Sequence, residues 1–265
     1  MSDVSDKNLK AALTTGPART FPAINLENDA ILLDIDGTLL DIAPTPDDVH
    51  VPAALRRSLV RLVSSTGGAL ALISGRTLES VDALFAPLIT AAVGCHGAQL
   101  RAKPESPTEL PVPPLSEAIR QAFSDVTLLQ PGVRVEDKHF TLAFHCRLAP
   151  DREEPLFELL RARLAPFVSE YTLMRGKFIF EIKPRNCTKG EALRVLMRRA
   201  PFAGRRPVFF GDDTTDEYAF AALHQFGGIG VSVGQRMPNA SYMVDTPRNI
   251  RHWLDRLAHE GKTDG

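Results

Sequence analysis

Ile31-Leu32-Leu33-Asp34-Ile35-Asp36-Gly37-Thr38-Leu39-Leu40 is the stretch that decides the fold. The apolar run from Ala30 to Leu33 reads as a short buried strand. Residues two apart on an extended chain point the same way, so Asp34 and Asp36 reach one small volume where the strand ends. Gly37 permits a sharp exit and a close approach of backbone to a ligand. Two neighbouring carboxylates repel unless a cation or a shared proton compensates, and a hard divalent cation such as Mg2+ takes oxygen ligands. For a D-x-D in isolation, a capped strand-to-turn junction with two solvated acids is the simpler reading. The other strand ends decide between the two.

Moving outward, Ala69 to Ile73 is a second buried strand and stops at Ser74-Gly75-Arg76. Ala91 to Val93 is a third, ending in Gly94-Cys95-His96-Gly97, and Pro207 to Phe210 runs into Gly211-Asp212-Asp213. Ile229 to Val233 follows, then a short edge strand at Tyr242 to Val244. Helices separate them: one starting at Pro52, one capped by Thr77, one opened by a capping box of Thr188 and Glu191, and one over Pro247 to His259. Strands alternating with helices predict a parallel sheet built from β-α-β units.

The pattern breaks after Arg101, where residues 102–115 hold five prolines and read as a linker. A helix over Ser116 to Val126 comes next, then runs at Val133 to Asp137 and Phe140 to Arg147 that suit a hairpin. A helix capped by Asp151, with Leu156, Leu159, Leu160 and Leu164 inward, precedes strands at Tyr171 to Arg175 and Phe178 to Lys183. This doubled helix-hairpin predicts a four-stranded antiparallel sheet with two helices on one face. The expected class is α/β: a doubly wound, Rossmann-like parallel-sheet core interrupted by an inserted α/β unit. The expected boundaries are a mobile arm at 1–28, core at 29–105 and 186–265, and the insert at 106–185, with 41–51 as a loop.

A net charge of -1 supplies no basic field for nucleic acid. No apolar stretch approaches the ~20 residues of a membrane span, and residues 1–20 lack the apolar core of a secretory signal. Cys95, Cys146 and Cys187 have neither zinc spacing nor a disulfide framework, so reduced thiols in the cytoplasm are expected. Neither nucleic acid nor membrane is expected as a partner, and a monomer is favoured.

Ligands of an open parallel sheet sit beyond the carboxyl ends of its strands. Asp34, Asp36, Ser74, Asp212 and Asp213 all lie at such ends, and Lys189 lies in the first turn of the helix leading to the strand before Asp212. Carboxylates from two strands make an oxygen-rich metal site, while a lysine and a serine suit an anion. That is the equipment of phosphoryl transfer, in which positioning and charge neutralisation dominate. One carboxylate can attack phosphorus, and another can protonate the leaving alcohol.

In order and spacing, Asp34-Ile35-Asp36-Gly37-Thr38, Ser74, Lys189 and Gly211-Asp212-Asp213 resemble the four motifs of the haloacid dehalogenase (HAD) superfamily of phosphotransferases. Leu72-Ile73-Ser74-Gly75-Arg76, Gly94-Cys95-His96-Gly97-Ala98, Glu181-Ile182-Lys183-Pro184 and Gly211 to Glu217 are similar to the trehalose-6-phosphate phosphatases within it. The resemblance covers nearly everything after the N-terminal arm. It implies Asp34 as nucleophile, Asp36 as general acid and base, and Ser74 with Lys189 at the phosphate. It further implies Mg2+ held by Asp34, the Asp36 carbonyl and Asp212, with Asp213 in support, and an insert that acts as a cap. The implied reaction is hydrolysis of trehalose 6-phosphate through an aspartyl-phosphate, the last step of trehalose biosynthesis.

One face of the inserted sheet carries Arg134, Glu136, His145, Arg147, Glu181 and Lys183, and Lys138 at the hairpin end can join them. A solvated face is the alternative reading of these charges. Over a crevice they suit the hydroxyls of a sugar, and by resemblance Glu136, Lys138 and Glu181 contact it. Gly37, Thr38 and Arg76 are also expected at the substrate, although Arg76 could pair with an acid instead. Asp216 and Glu217 fit a helix first turn as well as they fit a site, and His96 is read first as a packed loop residue. The alternatives are a phosphatase for another phosphosugar such as sucrose 6-phosphate, a phosphomannomutase, or a silent sugar-phosphate sensor.

Overall fold

The structure is a computed structural model that describes residues 21–43, 49–176 and 178–260. The expectations for the arm over residues 1–20 and for residues 44–48 of the 41–51 loop lie outside these. Strand β1 (Asp29–Leu33) is central in a seven-stranded sheet. On one side lie β2 (Leu70–Ile73), β3 (Ala91–Gly94) and β4 (Gln99–Arg101). On the other lie β9 (Arg206–Gly211), β10 (Ile229–Val233) and β11 (Tyr242–Val244). All pair in parallel except β4, which runs antiparallel to β3 and was not anticipated. Its three residues are too few to show a period.

Period-two alternation sends successive side chains to opposite layers. Ile31 and Leu33 meet helices α1 (Ala53–Ser65), α2 (Leu78–Phe85) and α8 (Pro247–Glu260), through Leu59, Phe85 and Leu254 among others. Ala30 and Leu32 meet α6 (Lys189–Leu196) and α7 (Glu217–Leu223), through Leu193 and Phe220. The sheet is therefore covered on both faces, which is why its strands read as continuous apolar runs. Chain order reverses at β1, between β2 and β9, and opens a crevice at the carboxyl ends.

The last eight residues of the expected arm belong to this core. Phe21 stacks on Trp253 with ring centroids 5.0 Å apart, and Ile24 and Leu26 pack against the same layer. Aromatic stacking is worth about 0.5–1.5 kcal/mol beyond burial, enough to hold a short segment that lacks periodicity.

The smaller sheet pairs β5 (Arg134–Asp137), β6 (Leu142–His145), β8 (Ile179–Pro184) and β7 (Tyr171–Gly176), in that spatial order and antiparallel throughout. Its apolar face packs on α3 (Glu117–Ala122), α4 (Val126–Leu129) and α5 (Glu153–Leu164) around Phe123, Phe144, Leu160 and Phe180. The single helix expected over 116–126 is thus split, α3 ending at Ala122. Asp151 does not cap α5; a 3-10 turn over Pro150–Arg152 precedes it, and no side chain caps its first turn. The proline-rich stretch has no regular element, but it is tied down. Leu100 and Glu109 bridge, Glu109 pairs with Arg199, and Val112 packs with Cys95, Ala98, Phe140 and Cys187. Among the described residues no helix is long and apolar enough to cross a membrane.

Candidate active site

Asp34 follows β1, where its N–H donates to the Phe210 carbonyl of β9. Lys189 opens α6, whose cap is the Thr188 hydroxyl accepting from the Glu191 N–H. The expected capping box is half formed, because the Glu191 carboxylate pairs with Arg194 instead of turning back to the Thr188 N–H. Lys189 Nζ donates to Asp34 Oδ1 at 2.7 Å and to Asp216 Oδ1 at 2.6 Å, all three side chains being buried. Asp216 Oδ2 accepts from the N–H groups of Asp212 and Asp213 at 2.9 and 3.1 Å. Asp216 thereby braces both the lysine and the turn that presents Asp212. The Asp212–Asp216 spacing was the available signal for it, but an acid at a helix start explains that spacing equally well.

Oxygen atoms of Asp34, Asp212 and Asp216 lie within 4.8 Å of one another. Burial pushes Asp34 up to about 7, with Lys189 opposing and Asp212 and Asp213 adding to the rise. Burial also pushes Asp212 up to about 6 and Asp216 up to about 7. Lys189 is held well above its ordinary value because the attraction of Asp216 and Asp34 outweighs its burial. One ammonium therefore faces several acids, and the uncompensated charge fits a divalent cation on oxygen ligands. Both oxygens of Asp216 are already engaged, whereas Asp34 and Asp212 each have one oxygen in a recorded side-chain bond. These two carboxylates keep more free lone pairs for a cation than Asp216 does.

Gly37 and Thr38 are placed differently from the sequence expectation, whereas Asp36 and Arg76 line the cavity beside Asp34 and Ser74, paired with each other. Arg76 grips both oxygens of the Asp36 carboxylate, each at 2.7 Å, so Asp36 adds no carboxylate oxygen to the acidic trio. The acid-pairing reading of Arg76 describes the structure. Thr38 is fully buried and donates to Asp212 Oδ1 at 3.1 Å, outside the lining of the cavity that holds Asp34 and Ser74. Gly37 has φ +89°, and a Cβ there would lie 2.1 Å from Asp212 Oδ2. It makes room for a carboxylate of the protein rather than for a ligand. Asp213 lines the cavity, with Oδ1 accepting from the Thr215 N–H and hydroxyl.

A cavity of about 310 Å³ is lined by Asp34, Asp36, Ser74 and Lys189 at one end and by side chains of the smaller sheet at the other. Ser74 Oγ accepts from the Arg76 N–H, so its own proton is available to an anion. From the smaller sheet come Arg134, Glu136, Lys138, His145, Arg147 and Glu181. Glu136 and His145 pair at 2.9 Å, and the bond from His145, with Lys138 nearby, holds Glu136 below its ordinary value. Burial disfavours the charge on Glu181, yet Lys138, His96 and the Thr141 hydroxyl overcome it and hold its pKa far below the usual carboxylate range. Lys138 Nζ also donates to the Gly75 carbonyl at 3.2 Å, and Arg147 to the Ala43 carbonyl, so both cross from one sheet unit to the other. Lys183 is buried and donates to the Cys187 carbonyl, outside the cavity lining.

Comparison with known proteins identifies one family. A family model described as trehalose-phosphatase matches residues 32–247. A trehalose-6-phosphate phosphatase of Escherichia coli is 38% identical over 247 residues, 92% of this chain and 91% of that protein. A probable trehalose-phosphate phosphatase of Sinorhizobium fredii is 38% identical over 223 residues, 84% of each. Among solved structures, the C-terminal domain of a Candida albicans trehalose-6-phosphate phosphatase superposes with a TM-score of 0.77 at 23% identity, over 92% of this chain and 99% of that one.

Proposed function

The chain belongs to the trehalose-phosphatase family, and on that premise we propose that its crevice hydrolyses trehalose 6-phosphate to trehalose and phosphate. The fold is that of the HAD phosphatases, a doubly wound core with an inserted α/β cap. We take 29–105 with 186–265 as core, extended back to Phe21, and 106–185 as cap. The observation that carries the reading is one cavity lined both by Asp34, Asp36, Ser74 and Lys189 of the core and by Glu136, Lys138, His145 and Glu181 of the cap.

In this reading the phosphoryl group lies between Asp34, Ser74 and Lys189. The Asp34 carboxylate attacks phosphorus and the ester P–O bond breaks, leaving an aspartyl-phosphate. Asp36 gives its proton to the departing sugar oxygen, then takes one from the water that attacks the intermediate and frees phosphate. To do so, Asp36 leaves Arg76, whose guanidinium is then released toward the incoming phosphate. Asp34 and Asp212 would hold Mg2+, with the Asp36 carbonyl, and the ion would offset the charge gathered on the phosphoryl oxygens. Three free, buried cysteines support residence in the reducing cytoplasm.

A phosphosugar panel with and without Mg2+ tests the function, with release from trehalose 6-phosphate expected to dominate and to need the cation. In the same panel, Glu181→Ala is expected to lose about tenfold in kcat/KM on trehalose 6-phosphate and much less on p-nitrophenyl phosphate. Equal losses on the two would argue against a sugar-reading cap.

The buried acids also predict a pH-dependent response to Mg2+. Asp34, Asp212 and Asp216 are held above their ordinary 3.8. Below about pH 4 they are protonated folded and unfolded alike, and their contribution to stability is complete. It is lost as pH rises through about 6–7, where they ionise against burial. A cation replaces those protons, so saturating Mg2+ should raise Tm by about 5–10 °C near pH 8 and by little near pH 5. A shift of equal size at both would contradict the assigned site.

A further inference from the structure

His96 lies in the loop between β3 and β4 and reaches from the core to the cap. Cys95 and His96 both have left-handed backbones, φ +47° and +55°, in which residues other than glycine are uncommon and strained. Backbone bonds hold them there: the Cys95 N–H donates to the Arg76 carbonyl at 2.8 Å and the His96 N–H to the Ser74 carbonyl at 3.1 Å. The loop is thus stitched to the segment that carries Ser74. Gly75 leaves the space the imidazole fills, since a Cβ there would lie 2.5 Å from His96 Nε2.

From that slot His96 Nε2 lies 3.0 Å from Glu181 Oε2, with both side chains buried. Burial lowers the pKa of the ring although Glu181 pulls it up, so the imidazole is neutral at neutral pH. Its carboxylate partner assigns the proton to Nε2. Nδ1 is buried with no partner among the described residues. The other Glu181 oxygen is bound by Thr141 and Lys138, both of the cap.

We propose that His96 is a positioning residue for sugar recognition: anchored on the loop beside Ser74, it aims Glu181 of the cap at the sugar and sets the span between phosphate seat and sugar reader. This rests on the reading of Glu181 as a sugar contact. The span then selects phosphosugars by reach.

Two substitutions separate the ring's donor from its backbone. In His96→Asn the amide lies near the Nδ1 position, which suits a left-handed backbone but falls short of Glu181. In His96→Gln the amide reaches Glu181 while fitting that backbone less well. The readouts are KM and kcat on trehalose 6-phosphate and on p-nitrophenyl phosphate. KM for trehalose 6-phosphate is expected to rise about tenfold in His96→Asn and less than about threefold in His96→Gln, with smaller changes on p-nitrophenyl phosphate. The reverse order, equal losses on both substrates, or loss of fold in both variants would assign His96 to the loop backbone and overturn the proposal. Glu181→Ala measured alongside tells the two failures apart. If it affects both substrates alike, the sugar-reading role of Glu181 has failed. If it is selective and His96→Asn is not, only the positioning role has failed.

Discussion

Asp34→Asn is expected to lower phosphate release from trehalose 6-phosphate by at least about ten-thousandfold, the scale of removing a covalent nucleophile. An amide has no anionic oxygen to attack phosphorus, yet it matches the carboxylate in shape, so the loss is chemical. The same change removes a charge that burial already disfavours, since Asp34 sits up at about 7. Metal-free Asp34→Asn should therefore melt no lower than the parent, and should respond less to Mg2+ because a charged ligand is gone. Activity near that of the parent would remove Asp34 from the nucleophile's position. A collapse in Tm with the activity would leave the assignment without support.

Lys189→Met is expected to damage both folding and turnover. Lys189 is the cation between Asp34 and Asp216, and all three side chains are nearly inaccessible. Breaking a buried ion pair from one side costs about 3–5 kcal/mol, because the surviving charge is stranded. Here two carboxylates are stranded together. Turnover should fall by about a hundred- to a thousandfold, the range for removing one preorganised donor to a developing charge. Urea unfolding and phosphate release read the two effects separately. Adding Asp216→Asn to Lys189→Met should recover part of the stability, because a neutral amide still accepts and donates in that pocket, but none of the turnover. Full stability in the single variant would show that the ion pairs seen between Lys189, Asp34 and Asp216 carry no net weight.

The core was legible because its strands are buried on both faces. Ala30–Leu33, Leu70–Ile73 and Pro207–Phe210 are continuous apolar runs, each followed within two residues by polar residues at a strand end. Local order therefore announces both the element and the edge where a ligand would lie. The cap was legible for a different reason, the alternation of Leu142 and Phe144 with Ala143 and His145. Segments with no period were misjudged. Phe21 to Asn28 packs through one aromatic stack and the side chains of Ile24 and Leu26, and β4 is three residues long.

Within the site, Asp34-Ile35-Asp36 by itself determined that two carboxylates end the first strand, and residue order placed Ser74 and Asp212 at other strand ends and Lys189 at a helix start. The tertiary structure decided how those groups are paired. It set Asp36 against Arg76, turned Thr38 and Gly37 toward Asp212, and made Asp216 the brace of Lys189. It also brought His96 against Glu181, 85 residues away in sequence. Which residue types are present, and at which strand end, is a local property of the chain. Which charge meets which depends on desolvation and on distances across three or more elements, and neither exists until the chain has folded.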